Sequence, residues 1–139
     1  MFISIGDDNN PPSIDEINNL TDAVGWGKRD VAKWEKILKK SSHFAYARNN
    51  RDDLVAMGRV LEDGVMCMFY DICVHPDFQG NGLGSEVMNK LVDVVKDKGY
   101  VSIGLYAWDQ NIGATEFYEK FGFEKVDTGM ELKKYMVTE

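Results

Sequence analysis

Three glycines stand where an apolar stretch gives way to an amphipathic one. Gly80, Gly82 and Gly84 alternate within residues 79–84, the glycine loop, and the apolar residues that follow recur at helical spacing to about Lys98. The first N–H groups of a helix have no partner within it, and the helix dipole makes that end positive. Because glycine bends without a side chain in the way, such a loop is typical of a phosphate or pyrophosphate site.

The glycine spacing by itself leaves the phosphate ligand open. Ser85 stands where a dinucleotide fingerprint has its third glycine, and the loop lacks the lysine that a Walker motif requires. Both patterns are therefore weakened but not eliminated. The same holds for a fragment of a nucleotide-binding oxidoreductase, which the dinucleotide fingerprint would indicate. A flexible loop that binds nothing is the remaining interpretation.

Asp71 is the one charged residue in the apolar run 65–74. Burial of an unpaired carboxylate is costly, so its side chain should face a cavity or a cationic partner. Asp71 could bind a substrate ammonium or relay its protons. It could equally form an ion pair with Arg48 or Arg59 on a neighbouring strand.

The elements that position these residues predict a mixed α/β sheet. Apolar periodicity and turn signals give the order β-α-α-β-β-β-α-β-α-β-β. Short turns make the early strands antiparallel, whereas 65–106 should be a strand–helix–strand unit with a right-handed crossover between parallel strands. The closing strands are expected at 123–126 and 130–135. The length fits a single domain over 1–139, without repeats or linkers.

The charge balance limits the partners. The chain has 16 basic and 23 acidic residues and a net charge of −7, which repels nucleic acid and anionic membranes and mildly favours a cationic substrate such as an amine. No apolar run approaches ~18 residues and no leader pattern begins the chain, so we expect a cytoplasmic protein. Cys67 and Cys73 are too far apart along one strand to bridge, and we expect both in the core. No Cys/His cluster predicts a metal site.

Two separated segments resemble the GNAT superfamily of acyl-CoA-dependent N-acyltransferases. The family motif Q/R-x-x-G-x-G/A, between the fourth strand and the third helix, reads here as Gln79, Gly82 and Gly84 after Val-His-Pro. The second segment is Asn111 followed by FYEKFGF at 117–123. The clear resemblance covers 70–125, and the first 65 residues agree in layout only. The predicted order of elements is also similar to the GNAT fold.

The resemblance implies that acetyl-CoA is the cofactor and gives individual positions a role. Backbone groups of the apolar strand 65–74 and of the glycine loop, with the side chain of Asn111, would hold the pantetheine arm and the pyrophosphate. These positions are Ile72, Cys73, Val74, Gln79, Gly80, Asn81, Gly82, Leu83, Gly84, Ser85 and Asn111. Tyr118 corresponds to the family's general acid, would also contact the cofactor, and could protonate the departing thiolate. Trp26, Tyr106 and Trp108 would line the acceptor pocket.

The resemblance thus implies an N-acetyltransferase in which a primary amine of a small molecule or peptide attacks acetyl-CoA directly in a ternary complex. Tyr118 and Asp71 are the candidate catalytic residues. A non-catalytic sensor module that binds acyl-CoA is the alternative. Pairing of the closing strands across a two-fold axis would give a homodimer.

Overall fold

The computed structural model describes residues 4–5, 9–107, 113–126 and 129–138. The chain divides into two compact units, 1–106 and 107–139. The first unit contains a five-stranded sheet in the order β1-β2-β3-β4-β5. Neighbours from β1 to β4 are antiparallel, and β4 and β5 are parallel, as predicted. The strands are Ser4–Ile5 (β1), His43–Arg48 (β2), Leu54–Glu62 (β3), Met66–Val74 (β4) and Ser102–Leu105 (β5).

Helices α1 (Ile14–Ala23) and α2 (Val31–Lys40) cover one face of this sheet. Ser13 and Glu16 form a capping box, in which the Ser13 hydroxyl accepts from the Glu16 N–H and the Glu16 carboxylate accepts from the Ser13 N–H. The core on this face joins side chains from both helices and from the three central strands. Its buried members are Ile17, Leu20, Trp34, Tyr46, Leu54, Met57 and Cys73.

Helix α3 (Leu83–Val95) packs on the opposite face, with Leu83, Val87, Met88, Leu91 and Val95 buried. Gly58 of β3 allows the helix to approach closely. A Cβ at that position would collide with Ile72 Cδ1 and would lie 3.0 Å from Leu91 Cδ1 and from Val87 Cγ1. The two helical layers therefore enclose the centre of the sheet.

The second unit contains a short helix, α4 (Ala114–Glu119), and a 3-10 turn at Lys133–Tyr135. The closing strands predicted at 123–126 and 130–135 are wrong for the described residues, which have irregular backbone apart from that turn. Val126 and Met130 are 82% and 93% exposed. Strand formation there would order the backbone without burying apolar surface to compensate. The structure therefore removes the strands on which the expected homodimer was based. The homodimer itself and a single domain over 1–139 stay predictions.

A buried ion pair attaches α1 to the end of β2. Arg48, with a side chain only 3% exposed, donates from Nη1 and Nη2 to the two carboxylate oxygens of Glu16, at 2.5 and 3.1 Å. It also donates to the carbonyls of Asn10 and Asp52. The hydrogen bond from Arg48 lowers the pKa of Glu16 from 4.5 to about 2. The charge of Glu16 therefore stabilises the fold over a defined pH range.

We expect Glu16→Gln to reduce stability at neutral pH by about 1 kcal/mol, a modest value because Glu16 is partly exposed. Glutamine keeps an acceptor for Ser13 and Arg48, so the charge is the main change. Because the folded pKa of Glu16 is depressed, its contribution is complete above pH 4.5 and is lost as pH falls through about 2. Urea unfolding across this range measures the effect, with Asp22→Asn on the same helix as control. Parallel stability–pH curves for wild type and Glu16→Gln would contradict the prediction.

Candidate active site

The glycine loop joins β4 to α3, as predicted. Gly80 and Gly82 have φ angles of 84° and 79°, in the left-handed region that residues with a side chain rarely adopt. Gly82 is the N-cap residue, and no side chain in the described part of the chain caps α3. At both glycines the position of an added Cβ has no neighbouring group within 4 Å. The first amides of α3 are therefore open to an anionic ligand.

Side chains of the loop hold its own backbone. Gln79 Nε2 donates to the Val74 carbonyl at 3.2 Å, and Asn81 Nδ2 donates to the Phe78 carbonyl at 3.2 Å. In the preceding 3-10 turn, Pro76–Phe78, the His75 imidazole accepts from the Asp77 N–H. These bonds shape the loop from within, which leaves backbone amides for a ligand. That Gln79 to Ser85 bind a cofactor stays a prediction.

A β-bulge interrupts β4 beside this loop. Gly58 of β3 faces both Asp71 and Ile72, so β4 has one residue more than its partner at this point. Asp71 has a φ of 55°, in the left-handed region. The parallel pairing of β4 with β5 ends at Phe69 and Leu105, immediately before the bulge. In the described residues, the part of β4 after the bulge has no β5 partner.

Two arginines bind the carboxylate of Asp71. Its Oδ2 accepts from Arg59 Nε at 2.6 Å and from Arg29 Nη1 at 3.1 Å. Its Oδ1 accepts no hydrogen bond from the residues that the structure describes, and the side chain is 10% exposed. The predicted alternative of pairing with Arg59 is present, whereas Arg48 bonds Glu16 instead. Asp71 therefore has one oxygen fixed by the protein and one available.

Both arginines stack on aromatic rings. The guanidinium of Arg59 lies 4.8 Å from the ring centre of Tyr70, and that of Arg29 lies 4.9 Å from the ring centre of Trp34. Arg29 belongs to the segment between α1 and α2, so it attaches that segment to the bulge. The sequence gives no signal for Arg29, since an arginine between two helices belongs to no periodic pattern or motif.

The remaining predicted residues lie in different parts of the chain. Trp26, in the turn after α1, is 52% exposed, and Tyr106 follows β5 and is exposed as well. Tyr118 is half-buried on α4 in the second unit, with its ring centre 5.2 Å from that of Phe117. Trp108 and Asn111 lie outside the described residues. The exposed rings of Trp26 and Tyr106 are accessible to a ligand, but their role stays a prediction.

A separate cleft of about 470 Å³ lies between the β2–β3 turn and the 3-10 turn. Its lining includes Arg51, Leu54, His75 and Phe78. Neither the bulge nor the three glycines of the loop contribute to it. The described ranges contain no helix that is long and apolar enough to cross a bilayer. They also contain no group of three His, Cys, Asp or Glu side chains arranged to hold a metal ion.

Comparison with known proteins agrees with this architecture. The family model described as "Acetyltransferase (GNAT) family" matches residues 12–123. An uncharacterized N-acetyltransferase, ycf52, from Porphyra purpurea is 36% identical over 120 residues, 84% of this chain and 67% of that protein. The chloroplastic GCN5-related N-acetyltransferase 1 of Arabidopsis thaliana is 33% identical over 123 residues, 86% of this chain and 60% of that protein.

A solved structure gives the same result. The GNAT-family acetyltransferase SP0256 from Streptococcus pneumoniae superposes with a TM-score of 0.78 at 26% identity, over 94% of this chain and 96% of that one. The sheet with its bulge, the glycine loop and these matches define the class of protein. The chain belongs to the GNAT family of acetyltransferases, and the predicted mixed α/β GNAT fold is confirmed.

Both cysteines are free and buried, as expected for core residues. Burial raises the pKa of the Cys73 thiol, and the nearby charge of Asp71 raises it further. Burial also raises the pKa of Cys67. Neither thiol therefore has the thiolate character that a nucleophile needs.

We expect neither cysteine to react with a thiol reagent such as DTNB in the native protein at mildly alkaline pH, since both are buried and protonated. Both should react at once after unfolding in guanidinium chloride, which provides the internal control. Rapid native labelling of one thiol would show that its side chain is exposed and would contradict the assignment to the core.

Proposed function

We propose that the protein transfers the acetyl group of acetyl-CoA to a primary amine of a small molecule or peptide by direct attack in a ternary complex. The bulge in β4 and the uncapped amides of α3, the helix that follows β4, carry this proposal. The amides would bind an anion, and in the described residues the strand after the bulge lacks a β5 partner. Family membership supports acetyl-CoA as the donor.

The residues around the loop fit coenzyme A. The uncapped amides of Gly82, Leu83, Gly84 and Ser85 would receive its diphosphate at the positive end of α3. These donors belong to the backbone, so they work locally in a protein whose net charge of −7 would otherwise oppose an anion. After the bulge, backbone groups of Ile72, Cys73 and Val74 would bind the pantetheine arm in place of a β5 partner. Bound acetyl-CoA supplies a thioester, whose carbonyl carbon is the electrophile.

Asp71 would orient the amine. Oδ1 can accept a hydrogen bond from the amine nitrogen, while Oδ2 stays bonded to Arg59 and Arg29. The new C–N bond forms as the C–S bond breaks. The amine gives up one proton, which Asp71 Oδ1 would accept and pass to solvent. The thiolate that leaves would take a proton from the hydroxyl of Tyr118, which we propose on the basis of its sequence match and which solvent would reprotonate. No covalent intermediate on the enzyme is required, since both substrates can bind together.

The acceptor is proposed to be a small molecule or peptide rather than a nucleic acid or a membrane component. The net charge of −7 supports this, because it repels phosphate backbones and anionic lipid. A cytoplasmic location and a homodimer are also part of the proposal.

The first test concerns the helix start. We expect Gly82→Ala to weaken acetyl-CoA binding about tenfold or more. The left-handed φ of 79° at this position is strained for alanine, and a change of this angle would turn the first amides of α3 away from the ligand. Gly64→Ala is the matched control, since Gly64 has a φ of 91° but lies in the β3–β4 turn. Isothermal titration calorimetry measures both. Equal affinities in the two variants, or comparable thermal shifts with NAD or ATP, would count against coenzyme A at this loop.

The second test concerns Tyr118. We expect Tyr118→Phe to lower kcat at least about tenfold with little change in coenzyme A affinity, because only the proton donor is removed. Tyr135→Phe, an exposed tyrosine of the same unit, is the control. Unchanged turnover in Tyr118→Phe would exclude the acid role. A wild-type protein that binds acetyl-CoA but acetylates no amine would instead be the non-catalytic sensor.

A further inference from the structure

Arg59 has more hydrogen-bonding capacity than its surroundings use. Its side chain is 11% exposed, and its guanidinium lies over the ring of Tyr70. Nε donates to Asp71 Oδ2, and Nη1 lies 3.3 Å from Ser41 Oγ. Within the described part of the chain, Nη2 donates to no acceptor. A guanidinium so nearly buried normally has its donors satisfied, so Nη2 is the atom to explain.

Arg59 shares its anionic partner, Asp71, with a second guanidinium group. The single carboxylate of Asp71 faces two guanidinium groups, which share its Oδ2. In the described structure, Arg59 forms no ion pair with any other carboxylate. A cation in a partly desolvated position gains most from a second anion, particularly one bound through charge-assisted hydrogen bonds.

Arg59 lies on the side of the sheet from which an acceptor would reach Asp71. Met57 and Arg59 lie on the sheet face covered by α1 and α2, whereas Gly58 and Ile72 are packed against α3 on the other face. A ligand that reaches Asp71 Oδ1 must therefore come from the side of Arg59. Asp71 Oδ2 bonds Arg59, and Asp71 Oδ1 would bind the amine. A single ligand could therefore place an anion at Arg59 Nη2 and its amine at Asp71 Oδ1, with a short spacer between the two groups.

The Arg59 side chain is not closed off completely. It keeps 11% of its surface exposed, which leaves room for an oxygen atom of a ligand to approach the guanidinium. The planar, permanently charged guanidinium suits a carboxylate or phosphate oxygen better than it suits a neutral group.

We infer that the acceptor amine carries an anionic group, a carboxylate or a phosphate, which binds Nη2 of Arg59 while the amine is oriented by Asp71 Oδ1. This inference rests on the proposed function and narrows its substrate class. It runs against the mild preference for cations that the net charge of −7 alone would give. The field of distant charges is screened over about 8 Å at physiological salt, so a direct contact outweighs it.

The test uses pairs of amines that differ only in charge. The full-length protein is assayed with acetyl-CoA and a series of ω-amino acids of increasing length, each beside its carboxamide, and with aminoalkyl phosphates beside the matching amino alcohols. We expect kcat/KM to be at least about tenfold higher for the anionic member of the best pair, mostly through KM. Raising NaCl from about 0.05 to about 0.5 M should reduce this ratio in the wild-type protein.

Variants assign the preference to Arg59. In Arg59→Gln the ratio of kcat/KM for the anionic and neutral members should fall towards unity, and in Arg59→Lys it should be partly kept. The ratio is diagnostic because a general structural defect would lower both members together. Arg51→Gln, in the exposed β2–β3 turn, removes the same charge and should keep the wild-type ratio.

Three outcomes would overturn the inference. Equal kcat/KM for both members of every pair in the wild type would exclude an anionic acceptor and leave the proposed acetyl transfer standing. An unchanged ratio in Arg59→Gln would show that the anion binds elsewhere. Failure to acetylate any amine, charged or neutral, would overturn the proposed function itself.

Discussion

The extra residue in β4 governs the arrangement of the first unit. Side chains of a regular strand alternate between faces, so one inserted residue reverses every position after it. Cross-strand pairing places Tyr70 beside Arg59 and Cys73 beside Met57 on the face of α1 and α2. Tyr70 and Cys73 share that face although they are three residues apart. The bulge thus lets β4 continue its pairing with β3 while its pairing with β5 ends at Phe69.

Packing and charge stabilise the bulge from opposite sides. On one face, the Ile72 side chain packs over Gly58 and against α3. A residue larger than glycine at position 58 would leave no room for it. On the other face, Arg59 and Arg29 bind the carboxylate of Asp71. A carboxylate in this position would be costly without such partners. The ion pairs therefore compensate for the left-handed conformation of Asp71 within the strand. They use only one oxygen of its carboxylate.

The same contacts connect the core to the candidate acceptor side. Arg29 stacks on Trp34 of the buried core and bonds Asp71, so the turn that carries Trp26 is anchored to β4. The glycine loop is organised in another way, by side chains that bond its own carbonyls. This anchoring and the uncapped amides of the loop are the features on which the proposed direct transfer between two bound substrates depends.

Features that depend on near neighbours were predictable from the sequence. The capping box of Ser13 and Glu16 and the apolar stripe of α3 each follow from residues within one or two turns. The glycine loop is likewise recognisable from residues 79–84, whereas the left-handed φ angles of Gly80 and Gly82 come from the structure. The strands expected at 123–126 and 130–135 are absent from the described residues, because a strand forms only where a partner buries its side chains. The bulge at Asp71 and its bond to Arg29, 42 residues away, had no local signal. Pairing with β3 sets the register of β4, and only the folded chain brings Arg29 to that carboxylate.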